Sequence, residues 1–227
     1  MLLVSQKNVD NYLRDDDWVL KFIENNPRSE HHLQTDNWLE KSPAKRYIFN
    51  IFYKDIIKKN ASKKRIYDIG GGISSFTNSL MEFNDYTLID ILTHGGDGEI
   101  IKQNKHYLAE KDWHDFTFKP SDLIIANDLF PNVDQRLEDF LNKVLPTTKY
   151  LRISLTWFSE LNFYKVKRVP SNEILFVKSW LTKDIKVLIK EYKTKIINYD
   201  SEVLDVLPTS AFKNNRNICC LEFKGGG

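Results

Sequence analysis

The sequence predicts an α/β protein with a doubly wound, mostly parallel sheet, and three observations support this prediction. A short apolar strand, Arg65 to Ile69, runs into three consecutive glycines and then into a helical pattern. A second strand, Tyr86 to Ile89, ends on Asp90, which completes a βαβ unit. Further apolar strand segments alternate with helical segments along the rest of the chain, as in sheets that carry helices on both faces.

Composition bounds the class of protein. The chain has 227 residues, 41% of them hydrophobic, and a formal net charge of +2, which favours neither a nucleic acid nor a membrane surface as partner. The two cysteines are adjacent, so no disulfide framework is expected, and no Cys/His cluster has metal-ligand spacing. No apolar run approaches the ~20 residues of a spanning helix, so we expect a soluble, cytoplasmic protein. The sequence leaves the oligomeric state open.

The N-terminal quarter of the chain carries helical patterns and no strand signal. An acidic run, Asp15 to Asp17, precedes an apolar helical face, and Lys45 to Lys59 carries a second such face. We therefore divide the chain into an N-terminal helical cap, residues 1–60, and a ligand-binding domain, residues 61–227. Two readings of the cap stay open: it covers a cleft, or it packs against the edge of the sheet.

Seven strands are expected in the second domain. They comprise the two strands of the βαβ unit and five later segments: Lys105 to Ala109, Ser121 to Ala126, Tyr150 to Trp157, Lys195 to Tyr199 and Asn217 to Phe223. The last two are joined by a loop without a helical pattern, which permits an antiparallel final strand.

The glycine turn is the first candidate binding element. Glycines let a ligand approach the backbone closely, the helix start offers free N–H groups, and an acid such as Asp90 can accept the hydroxyls of a ribose. The spacing of Gly70, Gly72 and Ser75 also fits the dinucleotide fingerprint, so the turn by itself leaves NAD open.

The stretch Asp68-Ile69-Gly70-Gly71-Gly72-Ile73-Ser74 resembles the first motif of class I S-adenosylmethionine-dependent methyltransferases, which have a Rossmann-like fold. The resemblance extends over residues 61–224. It implies S-adenosylmethionine as cofactor, with Asp68 near its methionine end, where the carboxylate would repel a pyrophosphate. In that family an acid and a flat side chain after the third strand hold the adenine; a surface turn with a half-buried Trp is the alternative. The implied cofactor-binding residues are Asp68, Gly70, Gly71, Gly72, Ser74, Asp90, Ile91, Asp112, Trp113, Asn127 and Asp128.

Methyl transfer to a hydroxyl requires alignment of the partners and removal of a proton. Three side chains near the expected cleft are candidate bases: Asp128, His114 and His94. The insertion at residues 156–180 mixes aromatic and basic residues, which suits a small anionic acceptor, and from it Trp157 and Arg168 are the candidate substrate-binding residues; a hairpin with a solvated basic face is the alternative.

We therefore expect a methyltransferase that acts on a small molecule. Asn127 to Phe130 departs from the Asn/Asp-Pro-Pro-aromatic motif of enzymes that methylate base amines. The residues from Ala126 to Leu141, followed by the insertion, resemble sugar O-methyltransferases of bacterial surface-polysaccharide pathways, which implies O-methylation of a sugar, phosphorylated or nucleotide-linked precursor. An NAD-linked oxidoreductase and a catalytically inactive cofactor-binding module are the alternatives.

Overall fold

The computed structural model describes residues 1–26, 33–57, 62–91, 108–168, 173–197, 199–200, 204–205 and 209–227. The strands are β1 (Leu2–Leu3), β2 (Arg65–Ile69), β3 (Asp85–Asp90), β4 (Leu108–Glu110), β5 (Ser121–Phe130), β6 (Thr148–Trp157), β7 (Phe163–Arg168), β8 (Glu173–Lys178) and β9 (Asn217–Lys224). The helices are α1 (Gln6–Asp15), α2 (Trp18–Asn25), α3 (Leu33–Lys41), α4 (Pro43–Tyr53), α5 (Phe76–Phe83), α6 (Leu137–Val144) and α7 (Thr182–Glu191).

The main sheet confirms the predicted fold class. Its seven strands lie in the order β1-β9-β6-β5-β2-β3-β4. The five strands from β6 to β4 in this order pair in parallel, whereas β9 is antiparallel to β6 and to β1. β7 and β8 form a separate antiparallel hairpin from the insertion. The carboxyl ends of the parallel strands therefore meet at one edge, where ligands bind in such sheets.

Two strand predictions were wrong, both at the outer edge of β9. We expected no strand before residue 60, yet Leu2–Leu3 pairs with Cys220 and Cys219. We expected a strand at Lys195 to Tyr199, but among the described residues of this segment the pairing with β9 is limited to an isolated bridge between Ile196 and Phe223. The two short segments share one edge of β9, so each pairs over only a few residues. The predicted strand Lys105 to Ala109 falls partly outside the described residues, and its described part belongs to β4.

The N-terminal helices pack on a face of the sheet, not against its edge. One buried cluster joins side chains of α1, α2, α3, α4 and α5 to β2, β3 and β5. A second cluster, on the opposite face, joins α6 and α7 to the sheet. The sheet thus lies between two helical layers, each of which buries an apolar face against it.

Two arginines join the N-terminal helices to one another and to the sheet. Arg46 of α4 donates from Nε to the Asp17 carboxylate at 2.8 Å and from Nη1 to two carbonyls at the end of α3. Asp17 in turn accepts from Leu20 N at the start of α2, which it caps. Arg152 of β6 forms ion pairs with Asp55 after α4 and with Glu222 of β9. Polar contacts therefore fix the register of the N-terminal helices on the sheet.

Both cysteines behave as core residues, as expected from their place in the last strand. Cys219 and Cys220 are free and buried, and burial raises the pKa of the Cys219 thiol to about 12. No helix among the described residues is long and apolar enough to cross a lipid bilayer.

Phe76 of α5 packs against side chains of the N-terminal helices, and this contact leads to a first prediction. Its side chain is fully buried and stacks on Phe22 with the ring centroids 4.2 Å apart. Phe76→Ala should lower the free energy of unfolding by about 3–5 kcal/mol, measured by urea denaturation. Phe176→Ala, at a side chain that is 75% exposed, is the matched control and should change it by less than about 0.5 kcal/mol. Equal losses for the two variants would contradict this packing.

Candidate functional site

The glycine turn after β2 has the backbone geometry that its sequence predicts. Gly70 and Gly72 adopt left-handed conformations with φ of +64° and +67°, which side chains rarely tolerate. Gly70 N donates to the carbonyl of Ile89 at 2.9 Å, which holds the turn against the end of β3. A Cβ atom at Gly71 would lie 2.6 Å from the Asp68 carboxylate, so only glycine fits there. The turn is thus a thin layer of backbone above Asp68.

Asp68 lies behind the turn and not on the surface that a ligand would touch. Its carboxylate is 2% exposed and accepts hydrogen bonds from the hydroxyls of Tyr53 and Tyr86, each at 3.0 Å. Burial raises the pKa of Asp68 to about 7; the two tyrosine hydrogen bonds oppose the shift and the charge of Asp90 adds to it. In the structure Asp68 therefore supports the turn from below, and its place near the methionine end of the cofactor stays a prediction.

An acidic side chain from the N-terminal helices accepts hydrogen bonds at the start of α5. Asp36 of α3 is 1% exposed, accepts from Ser75 N at 3.1 Å and also accepts from the Ser75 hydroxyl. Ser74, one of the predicted ligand-binding residues, is buried and its hydroxyl accepts from Phe76 N at 3.3 Å. The positive end of the α5 dipole thus already holds a carboxylate from the protein itself.

A cavity of about 680 Å³ opens at the carboxyl ends of the parallel strands. This volume lies within the ~300–1,000 Å³ of small-molecule sites. Most of the sequence-predicted cofactor-binding residues line it, namely Gly70, Gly71, Gly72, Asp90, Ile91, Asp112, Trp113, Asn127 and Asp128. Asp68 and Ser74 do not line it, because both lie behind the glycine turn. The structure thus brings together residues from the ends of β2, β3 and β5.

The turn beyond β4 forms a charged network around Trp113. Trp113 is 4% exposed, and its Nε1 donates to Asp134 at 2.8 Å. The guanidinium of Arg136 lies 4.8 Å from the centre of the Trp113 ring and pairs with both Asp112 and Asp134, at 2.8 and 2.7 Å. Asp112 also accepts from His114 N at 2.8 Å and so begins a short 3₁₀ turn. Two acids share one arginine at this end of the cavity.

A second network forms at the end of β5. Asp128 has a left-handed backbone with φ of +55°, and its amide donates to the Ser154 hydroxyl at 2.7 Å. Its carboxylate accepts from Arg216 Nη1 at 2.9 Å and from Asn132 Nδ2 at 3.2 Å, and Lys45 Nζ lies 3.5 Å away. At this end of the cavity, one carboxylate forms ion pairs with two cations.

Two predicted site residues lie away from the cavity. His114 follows the Asp112 turn, but its side chain is 60% exposed and is not part of the lining, so its expected role as a base is corrected. Trp157 is fully buried in the core on the α6 and α7 side and does not line the cavity, so its expected contact with substrate is corrected too. His94 and the side chain of Arg168 fall outside what the structure describes.

Several lining residues were not predicted. α3 and α4 contribute Thr35, Trp38, Leu39, Lys45, Ile48 and Phe49, and later segments contribute Lys111, Leu129, Asn132, Val133, Asp134, Gln135, Arg136, Val166 and Arg216. Only the α4 residues carried a signal in the sequence, through the apolar face over Lys45 to Lys59 that contains Ile48. No local pattern marks Arg216, because it reaches the site only through the pairing of β9 with β6.

No group of three or more His, Cys, Asp or Glu side chains within the described ranges could hold a metal ion.

The N-terminal helices and the hairpin both contribute residues to the cavity lining, and the hairpin does so through Val166. The hydroxyl of Tyr164, also on β7, donates to the side-chain oxygen of Asn132 at 3.0 Å. Residues of both segments therefore form part of the cavity wall.

No family model matches the sequence, and no curated protein matches it. Solved structures do resemble the fold. The N-terminal domain of EvdMO1, determined with S-adenosylhomocysteine bound, has a TM-score of 0.52 at 12% identity over 94% of this chain and 97% of that one. This chain shares the fold of that domain, a Rossmann-like α/β fold with a mostly parallel sheet.

Two further structures lie below a TM-score of 0.5. The 1,6-didemethyltoxoflavin-N1-methyltransferase of Burkholderia thailandensis has a TM-score of 0.48 at 9% identity, over 88% of this chain and 92% of that one. The N-methyltransferase NodS of Bradyrhizobium japonicum WM9 has a TM-score of 0.47 at 12% identity, over 97% and 98%. At such identities the likeness is one of fold.

The buried Asp68 gives a prediction about pH. Its pKa of about 7 in the folded protein lies above the ~3.9 of an unfolded chain. The stability that it contributes is therefore fully present below about pH 4 and is lost as the pH rises through about 7. The two pKa values differ by about three units, which corresponds to a loss of up to about 4 kcal/mol in the free energy of unfolding.

Asp68→Asn should remove this dependence. The free energy of unfolding of the wild type, minus that of the variant, should fall between pH 4 and pH 8, as measured by urea denaturation at intervals of half a pH unit. Asp85→Asn, at an exposed ion pair with Arg65, is the control and should leave the slope of the wild type in place. A difference that is flat over this range would mean that Asp68 titrates at its ordinary pKa.

Proposed function

We propose that the protein is an S-adenosylmethionine-dependent methyltransferase that acts on a small molecule. The observation that carries the proposal is the glycine turn with Asp36 seated at the start of α5. In an α/β site that binds a pyrophosphate, this helix start must be open to the phosphates. A carboxylate in that position repels an anionic diphosphate but attracts the ammonium and sulfonium charges of S-adenosylmethionine. The same contact disfavours the NAD-linked alternative.

The remaining cofactor contacts follow the order of the strands. Gly70 to Gly72, at the end of β2, would face the methionine part of the cofactor. Asp90, at the end of β3, would accept the ribose hydroxyls, and Ile91 and Trp113 would flank the adenine. Asp112 would act at the adenine edge, with Arg136 holding its carboxylate in place. The fold shared with a domain solved with S-adenosylhomocysteine supports this arrangement.

The cofactor supplies an activated methyl group, and the chain has three tasks. It must align the acceptor with the methyl group, exclude water, and accept the proton of a hydroxyl acceptor. Side chains of α3, α4 and β7 line the cavity and would keep water from it. Of the two candidate bases that the structure describes, Asp128 lines the cavity and His114 does not, and we assign the proton to Asp128.

The acceptor class remains the one expected from the sequence. O-methylation of a sugar, phosphorylated or nucleotide-linked precursor is the first reaction that we propose to screen, in a surface-polysaccharide pathway. The mixture of aromatic and charged side chains around the cavity, including Trp38 and Arg216, suits a polar small molecule better than an extended polymer. We propose that residues 1–60 act as the cap and residues 156–180 as the substrate-side cover.

Calorimetry with the two cofactor classes tests the proposal directly. S-adenosylmethionine and S-adenosylhomocysteine should bind with micromolar dissociation constants, and NAD should give no heat of binding at the same concentrations. Tight binding of NAD without binding of S-adenosylmethionine would overturn the methyltransferase assignment.

Asp90→Ala should then lower the affinity for S-adenosylhomocysteine at least tenfold. The reason is the loss of two charge-assisted hydrogen bonds to the ribose, each worth about 1.5–3 kcal/mol at most. Asp122→Ala, at an ion pair with Lys149 at the opposite end of the strands, is the control and should bind the cofactor as the wild type does. Unchanged affinity in Asp90→Ala would locate the ribose elsewhere.

Turnover separates an enzyme from an inactive binding module. With any acceptor found in the screen, Asp128→Asn should lower kcat by about 10²–10⁴-fold, the usual contribution of a general base. Its affinity for S-adenosylhomocysteine, measured in parallel, separates the loss of a base from the loss of a cofactor contact, because Asp128 is also an expected cofactor-binding residue. A variant that keeps the full kcat would exclude Asp128 as the base, and cofactor binding without turnover on any acceptor would favour the inactive module.

A further inference from the structure

Arg216 is an arginine held rigidly on the wall of the cavity. It is 9% exposed, and its guanidinium lies 4.1 Å from the centre of the Phe212 ring, which fixes its plane. Nη1 and Nη2 reach the two carboxylate oxygens of Asp128 at 2.9 and 3.4 Å. An arginine in this arrangement presents a fork of N–H donors to a planar anion.

Lys45 adds a second cation to the same carboxylate. Its Nζ lies 3.5 Å from Asp128 Oδ2 and 4.7 Å from the centre of the Trp38 ring. Asp128 is the acid with which both cations pair, so this cluster carries an excess of one positive charge. The acids Asp112 and Asp134, also on the lining, pair with Arg136 at the β4 end of the cavity and not with Arg216 or Lys45. Partly buried positive charge is costly unless an anion accompanies it.

The order of the strands separates this cluster from the proposed cofactor contacts. Gly70, Asp90 and Asp112 follow β2, β3 and β4, which occupy one half of the sheet. Asp128 is at the end of β5, and Arg216 precedes β9, which lies on the other side of β5. Lys45 reaches the cluster from α4. The excess charge therefore faces the half of the cavity that the cofactor would leave to the acceptor.

We propose that Arg216 and Lys45 form an oxyanion site that holds a phosphate or carboxylate group of the methyl acceptor. The proposal rests on the function proposed above, because it assigns the other half of the same cavity. Asp128 would give up part of its contact with Arg216 when the acceptor binds, since the guanidinium has five N–H donors and Asp128 engages two of its nitrogens. Asn132 would continue to hold Asp128, with Tyr164 behind it.

This assignment differs from the one expected from the sequence. Arg168 of the insertion was the predicted anion anchor; its side chain falls outside what the structure describes, so that assignment stays a prediction. Lys165, on the same strand, is exposed and lies 5.3 Å from the exposed Phe176 ring. Lys165 pairs with Phe176 across the hairpin, and neither of these two residues lines the cavity. Arg216 and Lys45 do line it, from two segments that no local pattern connects.

The test is titration of inorganic phosphate into the full-length protein saturated with S-adenosylhomocysteine, at constant ionic strength, followed by phosphorus NMR or calorimetry. Arg216→Gln should weaken phosphate binding at least tenfold, and Lys45→Gln at least threefold. Asp128→Asn removes the competing carboxylate and should tighten binding at least threefold. Arg65→Gln, at an arginine–aspartate pair at the opposite end of β2, is the matched control and should bind phosphate as the wild type does.

Two results would overturn the proposal. One is equal phosphate affinity in the wild type and in Arg216→Gln, with Lys45→Gln also unchanged. The other is a tenfold loss of S-adenosylhomocysteine affinity in Arg216→Gln, which would assign the cation to the carboxylate of the cofactor. If S-adenosylhomocysteine fails to bind the wild type, the methyltransferase proposal fails. The same titration of the free protein then tests the anion site alone.

Discussion

A buried carboxylate beneath a backbone turn is the constraint on which the site depends. Asp68 occupies the space that a side chain at Gly71 would need, so the turn above it must be glycine. The hydroxyls that hold Asp68 come from Tyr53 of α4 and Tyr86 of β3. The Asp68 carboxyl group thus connects α4, β2 and β3. A shift of α4 would therefore move the glycine turn that lines the cavity.

A second carboxylate, Asp36, binds the start of α5 from α3. Together with Asp68 it places acid on two sides of the glycine turn, one below it and one at its end. The N–H groups of a helix start ordinarily invite an anion from outside, and here the protein provides that anion itself. What remains available at the turn is backbone close to the Asp36 carboxylate, which favours a ligand that carries positive charge there, as the proposed cofactor does.

The parts of the fold and of the site that could be predicted are those encoded in short stretches of sequence. The βαβ unit, the glycine turn, Asp90 and the Asp112–Trp113 turn are each encoded within about twenty residues, and strand alternation gave the fold class. The two-residue strand β1 has no pattern of its own, because its pairing with β9 depends on the edge that the Ile196 bridge leaves open. Asp36, Lys45 and Arg216 come from distant segments, so only the folded chain reveals that they meet. Trp157 and His114 followed strand ends in the sequence, but one turns into the core and the other towards solvent.

The charges of the cavity form two networks of opposite composition. At the β4 end, Asp112 and Asp134 share Arg136; at the β5 end, Arg216 and Lys45 share Asp128. Among the described lining residues, the four acids are matched by four basic side chains, so the cavity is neutral as a whole but polarised along its length. At the β4 end, where the nucleoside of the proposed cofactor would present hydroxyl and amine donors, hydrogen-bond acceptors are in excess. At the β5 end, hydrogen-bond donors are in excess. Two ligands with complementary polarity would therefore be oriented towards each other across the glycine turn, which is the geometry that an in-line group transfer needs.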